Sequence, residues 1–557
     1  MPTGGQILVD CLKTEGVRHI FTVPGESFIA ALDALHGETA IRPITCRCES
    51  AAAMMAEATG KITGRPGVAL VTRGPGAANA VTGVYVASQD ATPMVLIVGL
   101  PPRRMDGLPA FQTIDLDALF GGLAKWVTRI PSAEKLAHTL ARAFRTALSG
   151  RMGPVVIGIP EDVLSEEAQS RSPASRTTAV AIAPQVTAID AMQKALARAE
   201  RPLVVIGGSE WSEEAAQNLA VFAERFDLPV VAAFRRQDHF DNRHAGFAGH
   251  AGFAIDPSLA AGLKAADVVI AIGTRLGDVT TQGFTLLSGA EPDQSIIHIA
   301  ADADDPASTV AATMAVVASP CLTAAALADL EPPSARPPWG IWRRDLRAAY
   351  EASLRPRPTP GDVQLEYVIS SLNAALPEDA ILTNGAGNYA AFLQRYFVYK
   401  MYGTQLAPVS GTMGYGLPAG IAAKLAYPQR TVVAVAGDGC VQMTASDLMT
   451  AVQYGLNIVL IIANNASLGT IRMHQEQRYP GRVIATTLTN PDFVQWAESC
   501  GAYAERVTEN AQFLSALQRA RAADRPAVIE LVTETEAISV RETISTIRAR
   551  APKQDTP

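Results

Sequence analysis

No apolar run in the 557 residues approaches the roughly 20 needed to span a bilayer, and no basic block or basic stripe with interleaved aromatics offers a surface for a polyanion. A membrane-spanning protein and a nucleic-acid binder are therefore not expected. The charge balance agrees, since 47 basic against 54 acidic side chains leave a net charge of −7. Cysteine is scarce: Cys11, Cys46, Cys48, Cys321, Cys440 and Cys500 fall mostly inside apolar segments, which suits reduced core thiols and a cytoplasmic location better than a disulfide framework. Cys46 and Cys48 form a C-x-C, but no second Cys/His pair stands nearby, so no thiolate metal site is expected. The opening residues carry Asp10 and Glu15 in an amphipathic pattern and lack the basic and apolar regions of an export signal. What is abundant is apolar: 48% hydrophobic against 18% charged residues, in a chain long enough for about three or four domains, describes a multidomain globular protein.

Short apolar runs alternate with helical stretches along the chain, which indicates βαβ units and parallel sheets. In the first module HIFTV, ITC, VALVT, MVLIVG and VVIGIP read as strands, with helices starting at Glu26, at Glu49 and after Gly76. A polar linker at 165–178 follows. PLVVIGG, LPVVAAF, DVVIAIG and SIIHIA are the strands of a second module, closed by the proline-rich stretch 331–340. AILTN, TVVAVAG, NIVLIIAN and AVIELV belong to a third, and the tail beyond about Arg548 is expected to fray. The fold class is α/β, with three doubly wound parallel-sheet domains at about 1–165, 187–332 and 361–545. The first and third share strand, Gly turn, helix and strand at nearly equal spacing, so the outer modules are expected to share one fold.

The sharpest chemical signal lies in the third module. Gly437, Asp438 and Gly439 end one strand, and Asn464 and Asn465 end the next. Ligands bind at the strand ends of a parallel sheet. Asp438 and Asn465 can each offer a hard oxygen to Mg²⁺, and the glycines let backbone N–H groups approach a diphosphate, which brings oxygens of its own. Asp-Gly alone is also an ordinary turn; its pairing with Asn-Asn one βαβ unit later is what makes it specific.

Gly-Asp-Gly, 24 residues, then Asn-Asn resembles the diphosphate motif of thiamine diphosphate enzymes. Further matches follow in order over about residues 3 to 540: Glu49 in RCESAAAMM, the GPGAAN turn, PAFQ to Gln112 and GTMGYGLPAG from Gly411 resemble their counterparts in the acetolactate synthase branch. This resemblance implies thiamine diphosphate and Mg²⁺ as cofactors, with a pyrimidine-binding, a central Rossmann-like and a diphosphate-binding domain. It places Asp438, Asn465 and the carbonyl of Ser467 on the metal. Glu49 corresponds to the catalytic carboxylate that hydrogen-bonds N1′ of the aminopyrimidine; at an apolar helix start it would be partly desolvated and able to share a proton there. Its plain alternative is an acid favoured by the helix dipole. Pro24, Gly25, Gly76 and Asn79 would line the aminopyrimidine side. Gly411 and Met413 would support the cofactor from below, Met413 forcing its two rings together. Gly387, Asn388, Gly437, Gly439 and Cys440 would face the diphosphate, and Leu468 and Gly469 would close over it. Cys48 stands where that branch commonly has histidine, and Asn388 where glutamine is frequent.

The reaction depends on groups facing the cofactor's reactive carbon. None of the eight histidines lies between His36 and His138, and Arg73 sits where benzoylformate decarboxylase carries a histidine. Without such proton donors, carboligation to a second carbonyl after loss of CO₂ is expected, as in acetolactate synthases, whose substrate-side pair Phe111 and Gln112 resemble. Three departures stand out. Glu161 replaces a usual lysine, and the stretch with His474 and Arg478 differs from the usual substrate lid. Glu26 is an acid where that branch generally has none; it either protonates an intermediate or caps the helix at Ser27. In the central module Gly273–Asp278 resembles a flavin-side segment with Arg275 retained, whereas the residues around His250 replace another flavin contact; relatives hold FAD, ADP or nothing there. The implied assembly is a homodimer or dimer of dimers in which Glu49 and the diphosphate module come from different chains, with a small regulatory subunit as a further partner and a 2-oxoacid as substrate. The alternatives are a simple 2-oxoacid decarboxylase, a 2-hydroxyacyl-CoA or oxalyl-CoA type lyase, a flavin-dependent oxidase and a noncatalytic subunit.

Overall fold

Alternating buried strands and helices build three six-stranded sheets in the computed structural model, which describes residues 1–169, 175–287, 294–306, 308–332 and 337–550. The first sheet holds β1 His19–Thr22, β2 Arg42–Thr45, β3 Gly67–Val71, β4 Met94–Leu100, β5 Trp126–Arg129 and β6 Pro154–Pro160. The second holds β7 Pro202–Ile206, β8 Val230–Ala233, β9 Phe247–Ala251, β10 Val268–Ile272, β11 Ser295–Ala300 and β12 Met314–Val317. The third holds β13 Ile381–Asn384, β14 Gln405–Leu406, β15 Val432–Gly437, β16 Val459–Asn464, β17 Tyr503–Val507 and β18 Ala527–Val532. Their pairings are parallel.

Strand order carries the architecture. The first sheet runs β2-β1-β3-β4-β6-β5 and the third β14-β13-β15-β16-β18-β17, one order repeated, so the outer modules share a fold as their spacing implied. The second runs β12-β11-β10-β7-β8-β9, the order of a dinucleotide-binding fold. Interior strands such as β3, β4 and β6 are buried along their whole length, which is why they read as continuous apolar runs. Sequence reading overlooked β5, β9, β12, β14 and β17, all edge strands.

Small residues set the tightest helix packing. Helix Glu49–Thr63 buries Ala51, Ala52 and Ala53 and stops at Gly64, whose φ of 66° is left-handed. Helix Gly74–Asp90 lies close beside it, since a Cβ on Gly83 would stand 2.3 Å from that of Ala53. Met1–Ala181 and Pro408–Pro428 form one compact unit, and the remainder forms a second. Within the first, helix Gly416–Ala426 packs on Glu49–Thr63. No helix among the described residues is long and apolar enough to cross a membrane.

The end of the chain is tied down further than expected. Arg548 lies in helix Ile544–Arg550, so the fraying expected from about Arg548 does not begin there; residues from 551, with 170–174 of the linker and 333–336 of the proline-rich stretch, lie outside the described residues. Fully buried Glu476 accepts from Arg548 Nε (2.8 Å), from Arg472 Nε (2.8 Å) and from the Gly481 N–H (2.9 Å). The Arg548 hydrogen bond, followed by those of Gly481 and Arg472, pulls this carboxyl from 4.5 to about 2 against the opposing effect of burial. A depressed acid stabilises the fold above its unfolded pKa and loses that contribution as pH falls through the folded one. Glu476→Gln should therefore lower the melting temperature at neutral pH, and the gap to the native protein should close between about 4.5 and about 2; thermal unfolding across the acid range checks it.

Candidate active site at the strand ends

Four neighbouring strand ends of the first sheet gather the residues expected on the pyrimidine side. Glu49 follows β2, Pro24 to Glu26 follow β1, Arg73 to Gly76 follow β3, and Gln112 lies in the loop after β4. Glu49 is the first residue of its helix and half-buried; the preceding Cys48 makes no side-chain cap, its Sγ lying 3.1 Å from Ser50 Oγ instead. Asn79 Nδ2 donates to Glu49 Oε2 at 2.9 Å. Gly76 packs close beside it: a Cβ there would stand 3.4 Å from Glu49 Oε1 and, more tightly, 3.1 Å from Thr72 Cγ2. Gly25 is required: its Cβ would fall 2.4 Å from that of Thr72. Gly74 N–H donates to the Gln112 carbonyl at 2.9 Å, and Gln112 takes a left-handed φ of 60°. Glu26 is exposed and opens a short turn, Glu26–Phe28, that has no side-chain cap. Phe111 is 74% exposed. Glu161, one of the departures from the acetolactate branch, meets Arg73 here: the two form an ion pair across the end of β4. Gly411 and Met413 belong to this same compact unit, in a turn where Gly411 and Gly414 have φ of 68° and 80°.

The second half of the expected site is built the same way on β13, β15 and β16, which are neighbours. Gly437 ends β15 and Asp438 starts the short helix Asp438–Val441. Asp438 is 2% exposed. Burial pushes its carboxyl up, while the Asn490 amide and the N–H groups of Gly439, Ser467 and Ala466 hold it down. Asn465 Oδ1 accepts from Ser467 N–H (3.1 Å), and the Ser467 carbonyl accepts from Gly469 N–H (2.8 Å). The structure thus brings Asp438, Asn465 and Ser467 into one loop cluster. Leu468 covers Gly439, where a Cβ would lie 2.8 Å from Leu468 Cδ2. Gly387 has φ 151°, and both its Cβ position and that of Gly437 face the ring of Tyr389, at 2.7 and 3.1 Å. The Tyr389 hydroxyl donates to Cys440 Sγ (3.2 Å) and accepts from Gly385 N–H (3.1 Å), so this buried ring floors the glycine turn. The Asn388 side chain is engaged elsewhere, donating to the Ile538 carbonyl (2.6 Å) and accepting from Thr470 (2.9 Å).

Comparison with known proteins decides the family. Models described as thiamine pyrophosphate enzyme N-terminal TPP binding domain, central domain and C-terminal TPP binding domain match residues 2–119, 189–327 and 385–531. The chain is 31% identical to an acetolactate synthase large subunit of Corynebacterium glutamicum, over 96% of this chain and 87% of the relative. It is 30% identical to that of Haemophilus influenzae over 93% and 92%, and 30% identical to the isozyme 3 large subunit of Escherichia coli over 90% and 89%. The chain belongs to the thiamine pyrophosphate enzyme family.

In this thiamine pyrophosphate enzyme the oxygens of Asp438, Asn465 and Ser467 form a hard donor set that fits Mg²⁺, and an Asp438 carboxyl pushed up by burial is one that a dication would return to its ionised form. Sequence reasoning missed Asn490. Its Nδ2 donates both to Asp438 Oδ2 (2.7 Å) and to Asn464 Oδ1 (2.8 Å), and Gln442 donates to its oxygen at 2.9 Å. Nothing in TNPDF separates it from a loop residue ahead of the helix cap Asp492. Tyr389 was missed for a similar reason, being an aromatic in an apolar helix. The middle module places Arg275 against Asp305 (3.6 Å), and His250 in β9 with its Nε2 enclosed and without a hydrogen-bond partner; burial brings that imidazole down to about 3. Partners that orient metal ligands are worth about 10- to 100-fold in affinity. Asn490→Ala should weaken Mg²⁺ binding by about that factor with little change in melting temperature, read by titrating the metal in the presence of thiamine diphosphate.

Proposed function

We propose that the protein decarboxylates a 2-oxoacid and ligates the remaining fragment to a second carbonyl compound, using thiamine diphosphate held through Mg²⁺. The observation that carries the proposal is the half-buried Glu49, fixed by Asn79 and packed close beside the glycine turn at Gly76. When bound, thiamine diphosphate supplies the carbon centre that adds to the ketone and takes up electrons as CO₂ leaves. Glu49 holds a proton against the pyrimidine nitrogen, and Gly76 and Gly25 keep space for that ring. Asp438, Asn465 and the Ser467 carbonyl hold the metal, with Gly437, Gly439 and Cys440 toward the diphosphate and Gly387 and Asn388 at its flank. Leu468 and Gly469 exclude water above it.

Ligation over simple decarboxylation is supported by the lack of any histidine from 37 to 137, so that the loops after β2, β3 and β4 carry no imidazole to quench the reacting carbon. Gln112 and exposed Glu26 are the polar side chains we place toward the substrate. The relatives, acetolactate synthase large subunits, favour the same chemistry and suggest a small regulatory partner. The reaction has no net oxidation, so it calls on no flavin; FAD in the middle module, with Arg275 as its contact, would be structural. We further infer a homodimer or dimer of dimers, in the cytoplasm, with the modules divided near 1–165, 187–332 and 361–545. Tyr415, two residues beyond Met413, bonds Glu57, which lies eight residues along helix Glu49–Thr63 from Glu49, a rise of about 12 Å. That separation supports Glu49 and Met413 serving different cofactors. A noncatalytic role is disfavoured by retention of Glu49, Met413, Asp438 and Asn465 together.

Pyruvate and a panel of bulkier 2-oxoacids, supplied with thiamine diphosphate and Mg²⁺, should release CO₂ together with a hydroxyketone or hydroxyacid product. Aldehyde alone would overturn ligation. Glu49→Gln should lower kcat by about 100-fold or more; undiminished turnover would refute its assignment.

A further inference from the structure

The most heavily buried charge in the first compact unit lies away from the residues assigned so far. Glu57 and Lys61 stand on helix Glu49–Thr63, and Asp90 ends helix Gly74–Asp90; the side chains of Glu57 and Asp90 are 0% exposed and that of Lys61 8%. Lys61 Nζ lies 3.0 Å from Glu57 Oε1 and also pairs with Asp90. Thr92 donates to Glu57 Oε1 at 2.7 Å. Burying three such groups costs several kcal/mol per ion before their mutual attraction is counted, so a cluster of this kind is poor evidence for stability and better evidence for fixing one arrangement.

What it fixes is the turn that carries Met413. Val409 N–H donates to Asp90 Oδ1 at 2.9 Å, and the fully buried Tyr415 hydroxyl donates to Glu57 Oε2 at 2.5 Å. Lys61 Nζ lies 3.3 Å from the same hydroxyl. Between these two anchors run Ser410 to Gly414, with left-handed glycines at 411 and 414 that fold the turn back on itself and a Ser410–Thr412 hydroxyl contact of 2.8 Å. Met413 sits between the anchors, two residues before Tyr415. Within the turn Gly411 N–H donates to the Pro408 carbonyl at 3.1 Å, and backbone at left-handed glycines can adopt many other conformations, so its course depends on how its ends are fixed.

We propose that Glu57, Lys61, Asp90 and Tyr415 are positioning residues for catalysis: a buried charge clamp that holds the Met413 turn at the height needed to press on the cofactor. The inference rests on the reading that Met413 supports thiamine diphosphate. Misplacement by about 1 Å of a group that sets reactive geometry costs on the order of 100-fold in rate, so a loosened clamp acts on the chemistry before it acts on the fold.

The test uses the holoenzyme and three readouts: the dissociation constant for thiamine diphosphate from tryptophan fluorescence, the rate of deuterium exchange at the cofactor's C2, and the melting temperature. Tyr415→Phe, Glu57→Gln and Met413→Ala should each weaken cofactor binding and slow exchange by about tenfold or more, with KM for the 2-oxoacid little changed. Thr92→Val, which removes a bond to the same Glu57 carboxylate without touching the turn, should lower the melting temperature and leave exchange unaltered. If Met413→Ala leaves exchange unchanged, the reading of Met413 fails and the clamp has nothing to position. If Met413→Ala slows exchange while Tyr415→Phe and Glu57→Gln do not, that reading stands and the clamp is refuted. Slowing in all variants in proportion to lost melting temperature, Thr92→Val included, refutes it as well.

Discussion

A parallel sheet buried on both faces leaves polar chemistry one place to stand, the carboxyl ends of its strands. Every site residue discussed above obeys that constraint or hangs from it. Glu49, Gly25, Gly76 and Gln112 follow β2, β1, β3 and β4; Gly387, Asp438 and Asn465 follow β13, β15 and β16. Because the first and third sheets repeat one strand order, the chain owns two such edges of the same design, one carrying Glu49 and its glycine turn, the other the loop cluster of Asp438, Asn465 and Ser467. Division of labour between duplicated folds is how a cofactor with a ring at one end and phosphates at the other can be held by a single kind of domain.

Behind the second edge, polar groups close into a loop. Asn490 bonds Asp438 and Asn464; Asn464 donates to Glu530 (2.7 Å); Glu530 pairs with Arg506 (2.7 Å); and Arg506 pairs with Asp492 (2.9 Å), two residues from Asn490. Each member fixes the next, so the orientation of Asp438 is set by five side chains rather than by its own rotamer. Glu57, Lys61 and Asp90 play the corresponding part behind the first edge. In both places the protein accepts desolvation of charge where geometry matters more than stability.

How far the sequence discloses this depends on periodicity and on distance along the chain. The interior strands of all three sheets were legible, because full burial writes them as apolar runs. Of the edge strands only β2 was: β5 and β17 are mostly half-buried, β14 is two residues long, and β9 is buried but spelled FAGHA, with glycine and histidine in place of branched residues. At the site, Gly-Asp-Gly with Asn-Asn is legible because both turns end consecutive strands. Asn490 lies 52 residues beyond Asp438 in an ordinary Asn-Pro turn, and Tyr415 lies 358 residues from the Glu57 it bonds. No spacing rule links such pairs; only folding does. Arg73 and Glu161 each stand out in the sequence, Arg73 in place of a decarboxylase histidine and Glu161 in place of a lysine, yet their pairing across β4 needed the sheet order to be known.

The central claim is that Glu49 of one copy and Asp438 of another flank a single cofactor. Mixing inactive Glu49→Gln chains with inactive Asp438→Ala chains tests it most directly. Random reassembly gives half hybrid dimers, each with one intact site of two, so activity should return to about a quarter of the native level. Recovery of no activity, with subunit exchange verified, would contradict it.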